Sequence, residues 1–143
     1  MNRRDLLRAP LLLALSKPCC ELPVLQPQAY QKRGSSLVID LRQAAHLKKV
    51  GGAALVRDEA RQLYLILAQT APGEFHAWHG ACTHGGAPLA FDARHGTALC
   101  TSVGHSEFNP QGEVVRGPAP KPVRIFPVQR AGNTLTVQLE AAQ

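Results

Sequence analysis

The chain carries CTHGG at residues 82–86 and CTSVGH at residues 100–105, and its candidate chemistry centres on these two segments. Each segment contains one cysteine and one histidine, and fifteen residues separate His84 from Cys100. The glycines beside each pair allow the backbone to turn tightly around an ion. Two loops that each provide a thiolate and an imidazole can form a tetrahedral zinc site or hold the two irons of an iron–sulfur cluster. The candidate ligands are Cys82, His84, Cys100 and His105.

Short apolar runs, cut by turn residues, surround these segments. The run LYLIL at residues 63–67 is the strongest strand prediction, because branched and aromatic residues dominate it. A hairpin turn is predicted at residues 130–133 and a helical turn near residues 41–47. A spacing of about ten residues between strands favours a small all-β sandwich or barrel. Strands are predicted at residues 37–39, 53–56, 63–67, 75–78, 97–100, 123–128 and 134–139.

Length and composition restrict the class of protein. A chain of 143 residues with 45% hydrophobic and 18% charged residues predicts one globular domain. This excludes a multidomain enzyme, a disordered tail, a collagen-like fibre and a polytopic membrane protein. The net charge is +6, and residues 1–21, with four basic and two acidic residues, contribute +2 of it. The remaining +4 is scattered, without a basic stripe or interleaved aromatic residues, so no nucleic-acid partner is expected.

The N-terminus has the layout of an export signal. Arg3 and Arg4 precede an apolar stretch at residues 9–16, and their context resembles the twin-arginine signal, which exports folded proteins. The apolar stretch is far shorter than the roughly 20 residues that span a bilayer, so no spanning helix is expected. Cys19 and Cys20 fall at the edge of this segment and are expected to form no disulfide. The predicted organisation is an export signal at residues 1–21, a proline-containing linker at residues 22–35 and one domain at residues 36–143.

Over residues 36–140 the sequence resembles the Rieske family. The family signature is C-x-H, about 15–17 residues, and then C-x-x-H. The resemblance continues in GPAPKP at residues 117–122, which is similar to the proline-rich loop that closes over the Rieske cluster. Ser106-Glu107-Phe108 is similar to the Ser-x-aromatic that follows the second ligand loop.

This resemblance implies stacked antiparallel sheets with the cluster-binding loops at one end, and a Rieske 2Fe–2S cluster as cofactor. Cys82 and Cys100 would hold the buried iron, and His84 and His105 the outer one. Two ferric irons, two sulfides and two thiolates sum to zero charge, which eases reduction and places such clusters at about −150 to +300 mV. The implied function is one-electron transfer between redox protein partners. No residue set indicates substrate chemistry, so the chain is expected to be a free-standing carrier or the small subunit of an oxidoreductase.

The second loop departs from the family pattern. It reads C-x4-H, with Gly104 before His105, and is one residue longer between Cys100 and the serine. His95, in a predicted exposed turn, is the other nearby candidate ligand. High-potential members carry an extra cysteine in each loop and a tyrosine where this chain has Phe108, so a lower potential is expected here.

Two functions remain open from these residues. The first is an exported, periplasmic electron carrier, and export of a folded protein agrees with insertion of the cluster in the cytoplasm. The second is a Rieske-like binding or structural module that has lost the cluster or holds zinc.

Overall fold

The computed structural model describes residues 22–102 and 104–140. In this part of the chain every strand pairing is antiparallel, apart from one isolated parallel bridge, and the only helical segments are short 3₁₀ turns at Pro27–Ala29, Leu41–Gln43 and Ala45–Lys48. The strands are β1 Tyr30–Arg33, β2 Ser36–Asp40, β3 Ala53–Asp58, β4 Leu63–Ala71, β5 Glu74–His79, β6 Leu89–Asp92, β7 Thr97–Cys100, β8 Glu107–Phe108, β9 Val114–Arg116, β10 Ile125–Phe126, β11 Val128–Ala131 and β12 Thr134–Gln138. The predicted all-β class is confirmed.

The strands form three four-stranded sheets, in the orders β1-β2-β12-β11, β10-β5-β4-β3 and β6-β7-β8-β9. The first two sheets enclose one hydrophobic core. Because successive side chains of a strand point to opposite faces, Leu37 and Ile39 of β2 lie opposite Val137 and Leu135 of β12 in the core, and all four side chains are fully buried. This core forms the base of the molecule.

The strand β4 is buried on both faces, which explains its nearly continuous apolar run. Leu65 and Leu67 point into the base core, whereas Ile66 and Ala68 point into a second core under the third sheet. Trp78 of β5 is also fully buried in this second core. The third sheet is therefore anchored to the base through β4 and β5.

Residues 22–35, predicted as a linker, are instead part of the fold. Leu25 donates its N–H to the Leu55 carbonyl and Leu55 donates to the Pro23 carbonyl, both at 2.8 Å, which extends the edge of β3. Leu25, Ala29 and Tyr30 are buried in the base core. Residues 22–29 lack strand periodicity because single residues make their contacts, and their prolines need no backbone donor there. The next four residues form β1, which pairs with β2 along its whole length.

The predicted strand over residues 123–128 is two strands. Pro127 has no N–H for a ladder and separates β10, which pairs with β5, from β11, which pairs with β12. The hairpin at residues 130–133 and the helical turns near residues 41–47 are confirmed. No helix in the described ranges is both long and apolar enough to cross a bilayer.

Candidate metal centre

Three loops meet at one end of the third sheet: residues 80–88 after β5, residues 101–106 after β7, and residues 117–124 after β9. The first loop is a compact turn, in which Cys82 donates its N–H to the Ala87 carbonyl at 2.7 Å and Gly86 donates to the Cys82 carbonyl at 3.0 Å. Gly85 and Gly86 have φ angles of 81° and 75°, a conformation that glycine adopts at little cost. The glycines that follow His84 therefore serve this turn.

The second loop leaves β7 at Cys100 and is closed by a hydrogen bond from the Cys100 N–H to the Ser106 carbonyl at 2.7 Å. Within it, His105 donates its N–H to the Ser102 carbonyl at 3.2 Å. Thr101 joins this loop to the first one, because both its N–H and its hydroxyl donate to the Pro88 carbonyl. The C-x4-H loop thus contains a turn of its own between Cys100 and Ser106.

The structure brings the two cysteines together. Cys82 and Cys100 are buried, carry free thiols, and interact directly with each other. Burial raises the pKa of the Cys82 thiol. Burial also opposes ionisation of Cys100, but hydrogen bonds from the Ser102 hydroxyl and backbone outweigh it and lower the pKa of that thiol.

Both imidazoles lie on the outer side of these loops. His84 and His105 are exposed, and His105 Nδ1 lies 3.4 Å from the Cys100 carbonyl oxygen. His105 has a φ of 46°, which is uncommon for a non-glycine residue. The His84 N–H points inward and donates to Cys82 Sγ at 3.4 Å. The arrangement is two thiols inside and two imidazoles facing solvent.

This arrangement suits two metal ions better than one. A tetrahedral zinc ion has bonds of about 2.0–2.3 Å, so its four ligand atoms lie within roughly 4 Å of one another. Among the described residues, no three of the four candidate ligands have their ligand atoms within 4.8 Å of one another. A thiol pair on an inner iron and an imidazole pair on an outer iron fit the observed placement.

His95, the alternative fourth ligand, lies in the β6–β7 turn at the opposite end of β7 from Cys100. Its Nδ1 is 2.7 Å from Asp92 Oδ2, and this hydrogen bond raises the pKa of His95. The carboxylate of Glu107 lies close by, bound by the Thr97 hydroxyl at 2.6 Å and paired with Arg116 at 3.2 Å. Sequence spacing gave no signal for this cluster, because its members come from four strands and a turn.

The proline-rich loop closes over both ligand loops. Ala119 donates its N–H to Ser106 Oγ at 3.0 Å, and Thr83 donates its hydroxyl to the Lys121 carbonyl at 2.7 Å. Burial raises the pKa of the Cys82 thiol, and the nearby Ser106 hydroxyl reduces this rise. Phe108 is fully buried beneath the site. The closing role of residues 117–122, expected from sequence, is what the structure shows.

Comparison with known proteins identifies one family. The family model of the Rieske [2Fe-2S] domain matches residues 36–127. Similar solved structures include the plasma-membrane Rieske protein PetC3 from Synechocystis PCC 6803, with 25% identity over 52% of this chain and 75% of that chain and a TM-score of 0.46. The ferredoxin of carbazole 1,9a-dioxygenase from Nocardioides aromaticivorans IC177 has 21% identity over 54% and 76%, with a TM-score of 0.47.

The soluble domain of the Rieske protein II (soxF) from Sulfolobus acidocaldarius has 16% identity over 83% of this chain and 67% of that chain, with a TM-score of 0.41. No curated protein matches the sequence. Because all three TM-scores are below 0.5, the family assignment depends on the family model.

Proposed function

Because the chain belongs to the Rieske [2Fe-2S] domain family, we propose that it is an exported one-electron carrier whose 2Fe–2S cluster is held by Cys82, His84, Cys100 and His105. The observation that carries the ligand assignment is the placement of two contacting, buried thiols beneath two exposed imidazoles. When bound, the cluster supplies reversible one-electron chemistry.

The residues around the site have distinct tasks. Water is excluded from the inner side of the site, because a hydrophobic core that includes Trp78 and Phe108 lies behind the buried thiols. The exposed imidazoles form the face that a redox partner approaches. The hydroxyl of Ser106 holds the proline-rich loop against the second ligand loop, so it keeps the site closed.

Spectroscopy of the purified protein tests this proposal. The expected result is a reddish-brown protein that, after reduction, gives the electron paramagnetic resonance (EPR) signal of a histidine-ligated 2Fe–2S cluster, with two irons per chain. A colourless protein containing one zinc per chain would support the alternative of a zinc-binding module. A protein with neither metal would support a cluster-free structural module.

We also propose that the midpoint potential is lower than that of a quinol-oxidising Rieske centre. Phe108 has no hydroxyl to donate to a ligand, and the described loops contain no cysteine besides the two proposed ligands. Fewer hydrogen bonds to the sulfurs stabilise the reduced cluster less. Protein-film voltammetry measures the midpoint potential. A value as high as that of quinol-oxidising Rieske centres would contradict this part of the proposal.

Export to the periplasm is supported by the sequence of residues 1–21, which lie outside the described residues. Replacement of both Arg3 and Arg4 by lysine should keep the cluster-loaded protein in the cytoplasm, because the receptor of the folded-protein route reads the arginine pair. Cell fractionation with the natural sequence as control checks this. Equal periplasmic amounts of the two proteins would rule out that route.

A further inference from the structure

The turn in the second ligand loop places the Ser102 hydroxyl beside Cys100, one of the two buried thiols. The hydrogen bond from the His105 N–H to the Ser102 carbonyl closes this turn just beyond the end of β7. Gly104, with a φ of 101°, allows the backbone to make it. As a result the Ser102 side chain points inward, and its Oγ lies 3.0 Å from Cys100 Sγ.

This contact is well suited to a ligand thiolate. Cys100 is buried and Ser102 is half-buried, so the hydrogen bond is shielded from water. A thiolate is only an acceptor, and a serine hydroxyl is a donor that rotates to suit its partner.

We propose that Ser102 tunes the midpoint potential of the cluster by donating a hydrogen bond to Cys100 Sγ. The inference rests on the proposed function. A donor at a ligand sulfur stabilises the more negative, reduced state, so it raises the potential. Ser102 thereby supplies, from inside the lengthened loop, a hydroxyl that Phe108 cannot provide.

Ser102 and Ser106 have different partners. The Ser106 oxygen accepts the Ala119 N–H and so holds the proline-rich loop, whereas Ser102 hydrogen-bonds to Cys100. Removing the Ser102 hydroxyl therefore leaves the proline-rich loop in place, which makes its effect separable from closure of the site.

The experiment compares Ser102→Thr with Ser102→Val, two variants of nearly equal shape that differ in the hydroxyl. Thr101→Val is the matched control, because Thr101 is the neighbouring residue and its hydroxyl donates to the Pro88 carbonyl rather than to sulfur. Voltammetry measures the midpoint of each, and EPR together with iron content establishes cluster loading.

The expected result is a midpoint in Ser102→Val that is lower than in Ser102→Thr and in the natural protein, with Thr101→Val near the natural value. A roughly tenfold shift in the ratio of reduced to oxidised cluster corresponds to about 59 mV. Equal midpoints for Ser102→Val and Ser102→Thr would overturn the inference, and so would an equal fall in Thr101→Val.

Ser102→Ala is a second, smaller variant without the hydroxyl. If Ser102→Val and Ser102→Ala both fail to load while Ser102→Thr loads, the hydroxyl is still required at Cys100. Failure of Ser102→Thr as well would assign the effect to loop packing and overturn the inference. Absence of a cluster from the natural protein would instead refute the proposed function, so the two failures are distinguishable.

Discussion

Replacement of Gly117 by alanine is expected to open the closed site, because the first residue of the proline-rich loop lies directly against the second ligand loop. A Cβ at Gly117 would lie 2.5 Å from Ser106 Cα, 2.8 Å from its backbone nitrogen and 2.9 Å from its Oγ. The first two are backbone atoms of the strand-loop junction, which cannot rotate away as a flexible side chain can. The two loops must therefore separate, and the Ala119 to Ser106 hydrogen bond is the contact that they lose.

Two energetic costs determine how much stability Gly117→Ala loses. Gly117 has a φ of 94°, in the region that favours glycine, and a side chain there costs about 1–2 kcal/mol. Forcing an extra methyl group into a packed contact costs about 1–3 kcal/mol more. Gly132→Ala is the matched control, because Gly132 has a φ of 60° but a Cβ added there would have no other atom within 4 Å. Gly132→Ala therefore introduces the backbone strain of a positive φ without the steric clash of the added Cβ.

Urea unfolding, followed by Trp78 fluorescence, measures the free energy of unfolding of both variants. We expect Gly132→Ala to lose about 1–2 kcal/mol and Gly117→Ala to lose clearly more. The rate of cluster bleaching in the presence of an iron chelator measures opening of the site. We expect it to rise in Gly117→Ala and to stay at the natural rate in Gly132→Ala. Equal losses of stability together with equal bleaching rates would refute the reasoning.

Further outcomes are expected from the site and from the second core. His105→Ala should abolish the EPR signal of the 2Fe–2S cluster while His95→Ala retains it, and the reverse would assign the fourth ligand to His95. The pKa of His95 is raised and the pKa of Asp92 is lowered. Their ion pair therefore stabilises the fold fully at pH values between the ordinary pKa of an aspartate and the ordinary pKa of a histidine. His95→Ala should therefore lower Tm at pH 5.5, and the deficit should fade as pH rises through the raised pKa of His95; a deficit that persists undiminished at pH 9 would contradict this. Trp78→Phe leaves the Asn109 carbonyl without its donor at 2.9 Å and should cost about 1–3 kcal/mol by calorimetry; an unchanged Tm would show that water replaces the indole.

Much of the fold follows from local patterns in the sequence. The apolar runs at residues 37–39 and 63–67 predict strands, because branched and aromatic residues bounded by turn residues favour extended chain. Short strands such as β8 and β9 leave no such pattern, since two or three residues show no periodicity. Pro127 is the one local sign that the last apolar run is divided.

The candidate site likewise combines features that the sequence predicts with features that only the folded chain shows. Spacing and the resemblance to the Rieske family predict Cys82, His84, Cys100 and His105 as ligands, because ligands of one centre recur in short motifs on neighbouring loops. The assignment of all four stays a prediction, and the placement of His105 on the outer face beside the second loop is information that only the folded loop provides. The same holds for Ser102, whose inward orientation depends on the turn closed by His105.

The sequence by itself determined the class of fold and the family, and it predicted the candidate ligands, since each of these depends on residue identity and short-range spacing. The tertiary structure decided that residues 22–35 join the base, that His95 is held by Asp92 at the far end of β7, and that a serine hydroxyl faces Cys100. These features arise from contacts between segments distant along the chain or from the path of a single turn. Their energies depend on distance and burial, which residue order does not specify.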